Sequence, residues 1–258
     1  MSQINVDAIR SANGTGDAIS LTASDKTCTA NITNNLSNRN LIINGSMQVA
    51  QRGTSSTSTG YQTVDRFRIF TGGTNEAITQ AQHALTSSDT GPWEKGFRSS
   101  YHLTNGNQTS GADAADYVEI MQKVEAQNMA MSGWNYNSTS SDITFSFWVR
   151  SSVAQTYYGY LHSIDGTEQL YGFSFALSAN TWTKVNKTIP GAANITFDNN
   201  NAEGLRIGIV PFYGTDYTTP GFTLNTWAAK SGSNMLPDMT STWWTTNDST
   251  FEITGVQL

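Results

Sequence analysis

Hydrophobic and polar residues alternate along most of the chain after residue 40. In residues 142–150, four apolar side chains fall on one face of such a pattern: Ile143, Phe145, Phe147 and Val149. A repeat of two is typical of a strand with one buried face. The same pattern predicts further strands at residues 41–43, 64–70, 77–82, 99–103, 117–124, 157–163, 171–176, 183–189, 205–212 and 251–258. Many short strands separated by Gly, Asn and Pro turns predict an all-β fold, an antiparallel jelly roll or β-sandwich.

Helical patterning is confined to one short segment, residues 125–131, which Ser132 and Gly133 follow. We expect a connecting helix there, ended by the glycine. No repeat and no long linker divides residues 40–258, so this region is predicted to be one domain.

The first 39 residues contain no Trp, Phe or Tyr. A segment with so few apolar residues does not bury enough surface to fold alone, and it is either a flexible leader or an arm that orders against a partner. The spacing of Ile4, Val6 and Ile9 favours a short extended N-terminal arm that adds a strand to a neighbouring sheet. Residues 1–39 are therefore predicted to be an attachment arm.

The amino-acid composition limits the classes of partner that this protein can bind. Charged residues make up 13% of the 258 positions, about half of the usual ~25% share, and the net charge is -6. Such a surface offers no basic footprint for nucleic acid. The sequence has no apolar run of membrane-spanning length and no signal-peptide pattern at its start, which predicts synthesis in a cytosol without membrane insertion. The single Cys28 forms no intrachain disulfide.

Catalytic motifs are absent from the sequence. The three histidines are isolated and none has a metal-ligand spacing: His83, His102 and His162. Asp113, Asp116 and Glu119 could supply a glycosidase pair, but their spacing equally fits a solvated loop entering a strand. The acidic loop at residues 198–204 does not match a calcium-binding loop. We expect no enzyme activity, no cofactor and no bound metal.

Aromatic residues reach 11% of the chain, and some leave the core face of their strands. An aromatic ring on a polar, exposed surface can stack on the apolar face of a sugar, whereas most aromatic rings pack in cores and interfaces. Both readings stay open for each ring. The candidate ligand-binding residues are Trp148, Arg150, Tyr158, Tyr160 and Trp182.

Several ordered motifs resemble the carbohydrate-binding-like jelly-roll domain of tail fibre and related appendage proteins of tailed bacteriophages, many of them marine. The resemblance spans residues 40–258. It rests on Asn40-Leu-Ile-Ile-Asn-Gly-Ser-Met-Gln-Val-Ala-Gln-Arg-Gly53, Val64-Asp-Arg-Phe67, Gln122-Lys-Val-Glu-Ala-Gln127, Phe145-Ser-Phe-Trp-Val-Arg150, Ala179-Asn-Thr-Trp-Thr-Lys184, Ile189-Pro-Gly191, Gly204-Leu-Arg206 and Ile253-Thr-Gly-Val-Gln-Leu258.

The resemblance implies a non-enzymatic virion component, a homotrimer attached to other virion proteins through residues 1–39. Its leading function would be that of a tail fibre or spike subunit that adsorbs to host surface polysaccharide. The alternatives are an architectural head, neck or tail decoration protein that binds only virion proteins, and a carbohydrate-binding module of a secreted protein. Similar proteins usually continue past Leu258, so we expect either a distal segment beyond it or a short, self-contained spike.

Overall fold

The computed structural model describes residues Ala8–Arg10, Asp17–Leu21, Cys28–Ala30 and Asn40–Leu258. The chain divides into two units, Met1–Arg39 and Asn40–Leu258.

In the first unit, three short strands pair in order as an antiparallel sheet: β1 (Ala8–Arg10), β2 (Asp17–Leu21) and β3 (Cys28–Ala30). Ile9 of β1 pairs with Ile19 of β2. Ile4 and Val6 lie outside the described residues, so the proposed strand addition by this segment stays a prediction.

The second unit is built from strands with two very short helices, α1 (Ala126–Ala130) and α2 (Thr242–Thr245). A 3₁₀ turn covers Trp93–Lys95. The strands are β4 (Ser55–Ser56), β5 (Arg68–Gly72), β6 (Thr79–Ala84), β7 (Ser99–Thr104), β8 (Tyr117–Glu125), β9 (Asp142–Ser151), β10 (Gln155–Ser163), β11 (Gln169–Leu177), β12 (Thr183–Pro190), β13 (Glu203–Tyr213), β14 (Trp227–Ala229) and β15 (Thr250–Gln257).

These strands form two six-stranded sheets. The first sheet has the order β14-β11-β10-β13-β8-β5, and the second has the order β12-β9-β15-β7-β6-β4. Neighbouring strands within each sheet are antiparallel. The predicted all-β, antiparallel sandwich of the jelly-roll type is therefore confirmed.

The core lies between the two sheets and is rich in aromatic rings. Phe145 and Phe147 of β9 face Phe173 and Phe175 of β11, with ring centroids 5.8 Å apart for Phe145 and Phe173 and 5.4 Å apart for Phe147 and Phe175. All four side chains belong to one buried cluster. The alternation of residues 142–150 predicts the buried face of β9, because every second side chain points into this layer. Each such ring contributes roughly 1.5–3 kcal/mol by burial.

The predicted strand at residues 41–43 is wrong. Asn44 and Met47 adopt left-handed φ angles of 61° and 60°, so the chain turns where a strand would continue. The backbone of Ile43 bonds instead to a side chain: its N–H donates to Gln122 Oε1 at 3.1 Å, and its carbonyl accepts from Gln122 Nε2 at 3.0 Å. Arg66, with φ of 71°, similarly delays the start of β5 to Arg68.

The predicted connecting helix is confirmed as α1. Trp243 and Trp244 of α2 are fully buried. In the part of the chain that the structure describes, no helix is long and apolar enough to span a membrane.

Candidate functional site

The first sheet carries side chains on both of its faces. Along β8, Val118 and Ile120 point into the core between the sheets, whereas Tyr117 and Glu119 point outward. On β10, Tyr160 belongs to a second, smaller cluster on the outer face. Large side chains therefore pack together on this outer face, whereas the solvent-facing side of an antiparallel sheet is commonly polar.

A hollow of about 250 Å³ lies on this outer face, and we call it the aromatic groove. Its lining residues come from β5, β8, β10, β13 and the segment that follows β13. The residues that line it are Phe70, Tyr117, Glu119, Met121, Tyr160, Arg206, Tyr213, Tyr217, Lys230, Gly232, Ser233 and Met235.

Four rings follow one another along the groove. The ring centroids of Phe70 and Tyr117 lie 5.2 Å apart, and those of Tyr117 and Tyr217 lie 5.1 Å apart. Tyr213 continues the row at 5.6 Å from Tyr217. Phe70 is 40% exposed, while Tyr117 and Tyr217 are half-buried. The guanidinium of Arg68 lies over Phe70, 4.7 Å from its ring centre, and orients that ring.

Two glycines let rings lie flat against the sheet. A Cβ on Gly208 would collide with the ring of Tyr160, and a Cβ on Gly72 would collide with the ring of Tyr117. Tyr160 and Gly208 are direct partners on β10 and β13. The rings thus occupy space that any other residue at these glycine positions would fill.

Beneath the rings, Glu119 is held by two phenols. The hydroxyl of Tyr160 donates to Glu119 Oε1, and the hydroxyl of Tyr213 donates to Glu119 Oε2 at 2.6 Å. Burial raises the pKa of Glu119, although both hydroxyls and the charges of Arg206 and Arg68 favour its ionised form. Burial also raises the pKa of Tyr160 and of Tyr213, and the charge of Glu119 adds to both shifts.

Cations lie at the edge of the groove. Arg206 donates to both carboxylate oxygens of Glu203, at 2.7 Å and 3.2 Å. Lys230 donates to the carbonyl of Gly232 at 2.6 Å. Both donors are partly exposed, so they can also reach a polar ligand held in the groove.

The structure places the predicted ligand-binding residues on opposite faces of the sandwich. Tyr158 and Tyr160 lie on β10, on the outer face of the first sheet, where Tyr158 is half-buried and packs against the smaller cluster. Tyr160, expected as an exposed ring, is only 1% exposed, because its ring covers Gly208 and its hydroxyl reaches Glu119. It forms the floor of the groove.

Trp148 and Arg150 lie on β9 of the second sheet, and Trp182 lies immediately before β12. Arg150 stacks over Trp182 at 4.8 Å from the ring centre, and Asp89 binds both side chains, accepting from Trp182 Nε1 at 3.1 Å and from Arg150 Nη1 at 2.8 Å. A Cβ on Gly91 would come within 2.7 Å of the Trp148 ring, so this loop packs directly on that ring. These rings are engaged within the chain, which favours the packing interpretation over ligand stacking.

Asp113, Asp116 and Glu119, considered as a possible glycosidase pair, do not assemble as one. Asp116 Oδ2 accepts from the backbone of Asp113 at 2.7 Å and so closes a turn, while Glu119 faces the groove. The expectation of isolated histidines is wrong for two of them, since the rings of His83 and His102 lie 5.1 Å apart. His162 is buried, and its Nε2 lies 2.8 Å from Glu168 Oε2.

Sequence reasoning missed most of the groove. Phe70, Tyr117 and Tyr213 come from three strands that are neighbours in the sheet, and Tyr217 comes from the loop after β13, so their proximity depends on tertiary structure. One signal was available: in residues 117–124, Tyr117 and Glu119 fall opposite the apolar face of Val118 and Ile120.

No protein-family model matches the chain, and no curated protein sequence matches it. Its fold is similar to several solved structures at low identity. The enzymatically active domain of tailspike protein 4 from bacteriophage CBA120 is 10% identical with a TM-score of 0.41, and the match covers 85% of this chain and 21% of that one. The N-terminal cellulose-binding domain of Cellulomonas fimi β-1,4-glucanase C is 11% identical with a TM-score of 0.38, covering 81% and 95% of the two chains. The family 11 carbohydrate-binding module of a Clostridium thermocellum cellulosomal cellulase is 10% identical with a TM-score of 0.36, covering 79% and 93%.

Proposed function

We propose that this protein is a non-enzymatic glycan-binding subunit of a phage virion appendage, and that the aromatic groove holds the sugar. The observation that carries the proposal is the row formed by Phe70, Tyr117, Tyr217 and Tyr213 on the outer face of a sheet.

The chemistry of the groove suits a neutral sugar. Aromatic rings present flat apolar surface to the C–H face of a pyranose, while nearby polar groups bind its hydroxyls. Arg206 and Lys230 supply donors at the edge of the groove, and the hydroxyl of Ser233 supplies an acceptor. The hollow of about 250 Å³ is smaller than the roughly 300–1,000 Å³ of pockets that enclose drug-sized ligands. It therefore suits one part of a longer chain.

A role in adsorption to host surface polysaccharide is supported by the composition and by the motifs of residues 40–258. A shallow groove gives weak affinity for one sugar unit, and display in several copies would multiply it. In this proposal the subunit is a trimer, attached to the particle through residues 1–39. In this proposal the protein is therefore located in the virion.

A binding role without catalysis is supported by the geometry around Glu119. Its two oxygens accept hydroxyls from Tyr160 and Tyr213, which lie in the floor. A glycosidase needs a second carboxyl group across the scissile bond, and the residues that line the groove include no other carboxylate.

The test is binding of the full chain to an array of lipopolysaccharides and capsular polysaccharides, followed by two substitutions. Phe70→Ala and Tyr217→Ala each remove a partly exposed ring without touching Glu119. We expect each to weaken binding by roughly tenfold, which corresponds to about 1.4 kcal/mol.

Trp93→Ala is the matched control, because Trp93 is a partly exposed ring outside the groove that stacks with Arg98. It should bind as the parent chain does. Binding that falls equally in all three variants, or in none of them, would place the sugar elsewhere. If the protein binds no polysaccharide on the array, the proposed role in adsorption is wrong. Labelling the protein on phage particles then tests the alternative that it is an architectural protein.

A further inference from the structure

Three side chains converge on the outer face of the second sheet, away from the aromatic groove. His83 lies on β6, His102 on β7 and Glu252 on β15, and these strands are neighbours in the order β15-β7-β6. Glu252 pairs directly with His102 across the sheet. His83 Nδ1 lies 3.2 Å from Glu252 Oε2, and His102 Nδ1 lies 3.3 Å from the same oxygen. One ligand atom from each residue lies within 4.8 Å of the other two.

His83 Nδ1 can donate to Glu252 Oε2, whereas among the described residues the buried His102 Nδ1 makes no hydrogen bond. His102 Nε2 lies 3.0 Å from Thr104 Oγ1, a contact in which either atom can be the donor. When Nε2 carries the proton, Nδ1 is a bare acceptor whose lone pair faces the carboxylate. An imidazole lone pair and a carboxylate oxygen at such a distance repel each other unless a cation or a proton lies between them.

The surroundings fix Glu252 in place. Arg150 donates to Oε1 from Nε at 3.1 Å and from Nη2 at 2.6 Å, while Ser100 Oγ donates to Oε2 at 2.8 Å. Arg150 also pairs with Asp89, so its single charge is shared between two carboxylates. With both imidazoles neutral, the group carries a net negative charge, which favours a cation. Outer partners that orient a ligating carboxylate in this way are a recurring part of metal sites.

We propose that His83, His102 and Glu252 form a binding site for Zn²⁺. Zinc bonds of about 2.0–2.1 Å to nitrogen and oxygen in a tetrahedron place its ligand atoms about 3.3 Å apart. The two separations of 3.2 Å and 3.3 Å from Glu252 Oε2 match that value. Two imidazoles and one carboxylate are a donor set that zinc accepts, with a fourth position left for water. The side chain of His83 is 50% exposed, which gives the ion a path from solvent.

The experiment titrates Zn²⁺ by isothermal calorimetry into the full chain. Every protein sample carries the substitution Cys28→Ser, so that the thiol cannot bind the metal. We expect one Zn²⁺ per chain and a rise in the unfolding temperature on binding. His83→Ala and His102→Ala should each weaken binding by at least the roughly 10–100-fold that loss of an outer partner costs. His83 is exposed, so its replacement should leave the fold intact. Co²⁺ in place of Zn²⁺ should give the visible absorption bands of a tetrahedral nitrogen and oxygen site.

Asp198→Asn is the control, because Asp198 is an exposed carboxylate in a different loop. It should leave the titration unchanged. The proposal is overturned if the Cys28→Ser chain binds no Zn²⁺, or if His83→Ala and His102→Ala bind it as tightly as the control. Loss of Zn²⁺ binding leaves glycan binding at the aromatic groove unaffected, so the two proposals fail separately.

Discussion

Glu119 is a buried carboxylate whose hydrogen bonds fix the side chains around it. Its carboxylate lies in the first sheet beneath the aromatic groove and is 4% exposed. Two tyrosine hydroxyls replace the water that it has lost, and they also hold Tyr160 and Tyr213 in place. Because burial outweighs these bonds, the pKa of Glu119 is higher in the folded protein than in the unfolded chain.

The raised pKa predicts a pH dependence of stability. In the pH range between the unfolded pKa, about 4.3, and the higher folded pKa, the folded state binds more protons than the unfolded state. The contribution of Glu119 is therefore fully present below the unfolded pKa and is lost as pH rises. The slope reaches at most about 1.4 kcal/mol per pH unit.

Glu119→Gln removes this titration while keeping the shape of the side chain. Urea unfolding at several pH values should show the variant gaining stability relative to the parent chain as pH rises. Glu94→Gln, which changes an exposed carboxylate in the 3₁₀ turn, is the control and should follow the parent. Parallel pH profiles for Glu119→Gln and the parent would contradict the assignment.

For single residues, the sequence predicts burial better than it predicts the site. The core face of β9 follows from alternation, and so does the position of Tyr158 and Tyr160 on one side of β10. Alternation places a side chain on a face, but it does not tell whether a neighbour covers that face. Tyr160 is buried because Gly208, on another strand, leaves room for its ring. Contacts between strands distant in sequence are not encoded in a local pattern.

At the scale of the elements, helix α2 depends on the side chain of Asn105, the residue that follows β7. Asn105 Nδ2 donates to the carbonyl of Trp244 at 2.7 Å, with weaker contacts to the carbonyls of Trp243 at 3.3 Å and Thr246 at 3.2 Å. A four-residue helix leaves carbonyls without intrahelical partners, and Asn105 satisfies that of Trp244, while Ser249 also donates to the carbonyls of Trp243 and Thr246. Trp243 and Trp244 are thereby held in the core.

Asn105→Ala should therefore destabilise the protein. The substitution leaves the carbonyl of Trp244 without its donor, which costs about 1–3 kcal/mol. Chemical denaturation should show a lower midpoint with an unchanged slope. Asn107→Ala, two residues later and exposed, should have a smaller effect. Equal midpoints for the two variants would show that α2 does not depend on this amide.

Most strands of the second unit were predictable because their side chains alternate between a face in the core and a face outside it. The exceptions are informative: β4 has two residues and β14 has three, too short to display a repeat. At residues 41–43 the apolar run is real, but Gln122 supplies the bonds that a neighbouring strand would provide. A side chain 79 positions away has no trace in the local pattern.

At the scale of the molecule, the division at Arg39 and Asn40 predicts that the second unit folds alone. A chain of residues 40–258 should unfold in one transition at the temperature found for the same unit in the full chain. Calorimetry measures this directly. Light scattering on both chains then shows whether residues 1–39 are needed for the proposed trimer. A chain of residues 40–258 that is unfolded at room temperature would contradict the division.

The position of β15 has a consequence for synthesis. This strand lies between β9 and β7 in the second sheet, and Thr250 pairs with Thr104 across almost 150 residues, a sequence separation of 146. Until the ribosome has made β15, the facing edges of β7 and β9 have no partner, and unpaired edges invite association with other chains. Nascent chains must therefore stay apart until β15 emerges, and pairing at such long range folds slowly. Rapid synthesis of the segment up to β15, or a chaperone that shields the open edges, should raise the yield of folded protein.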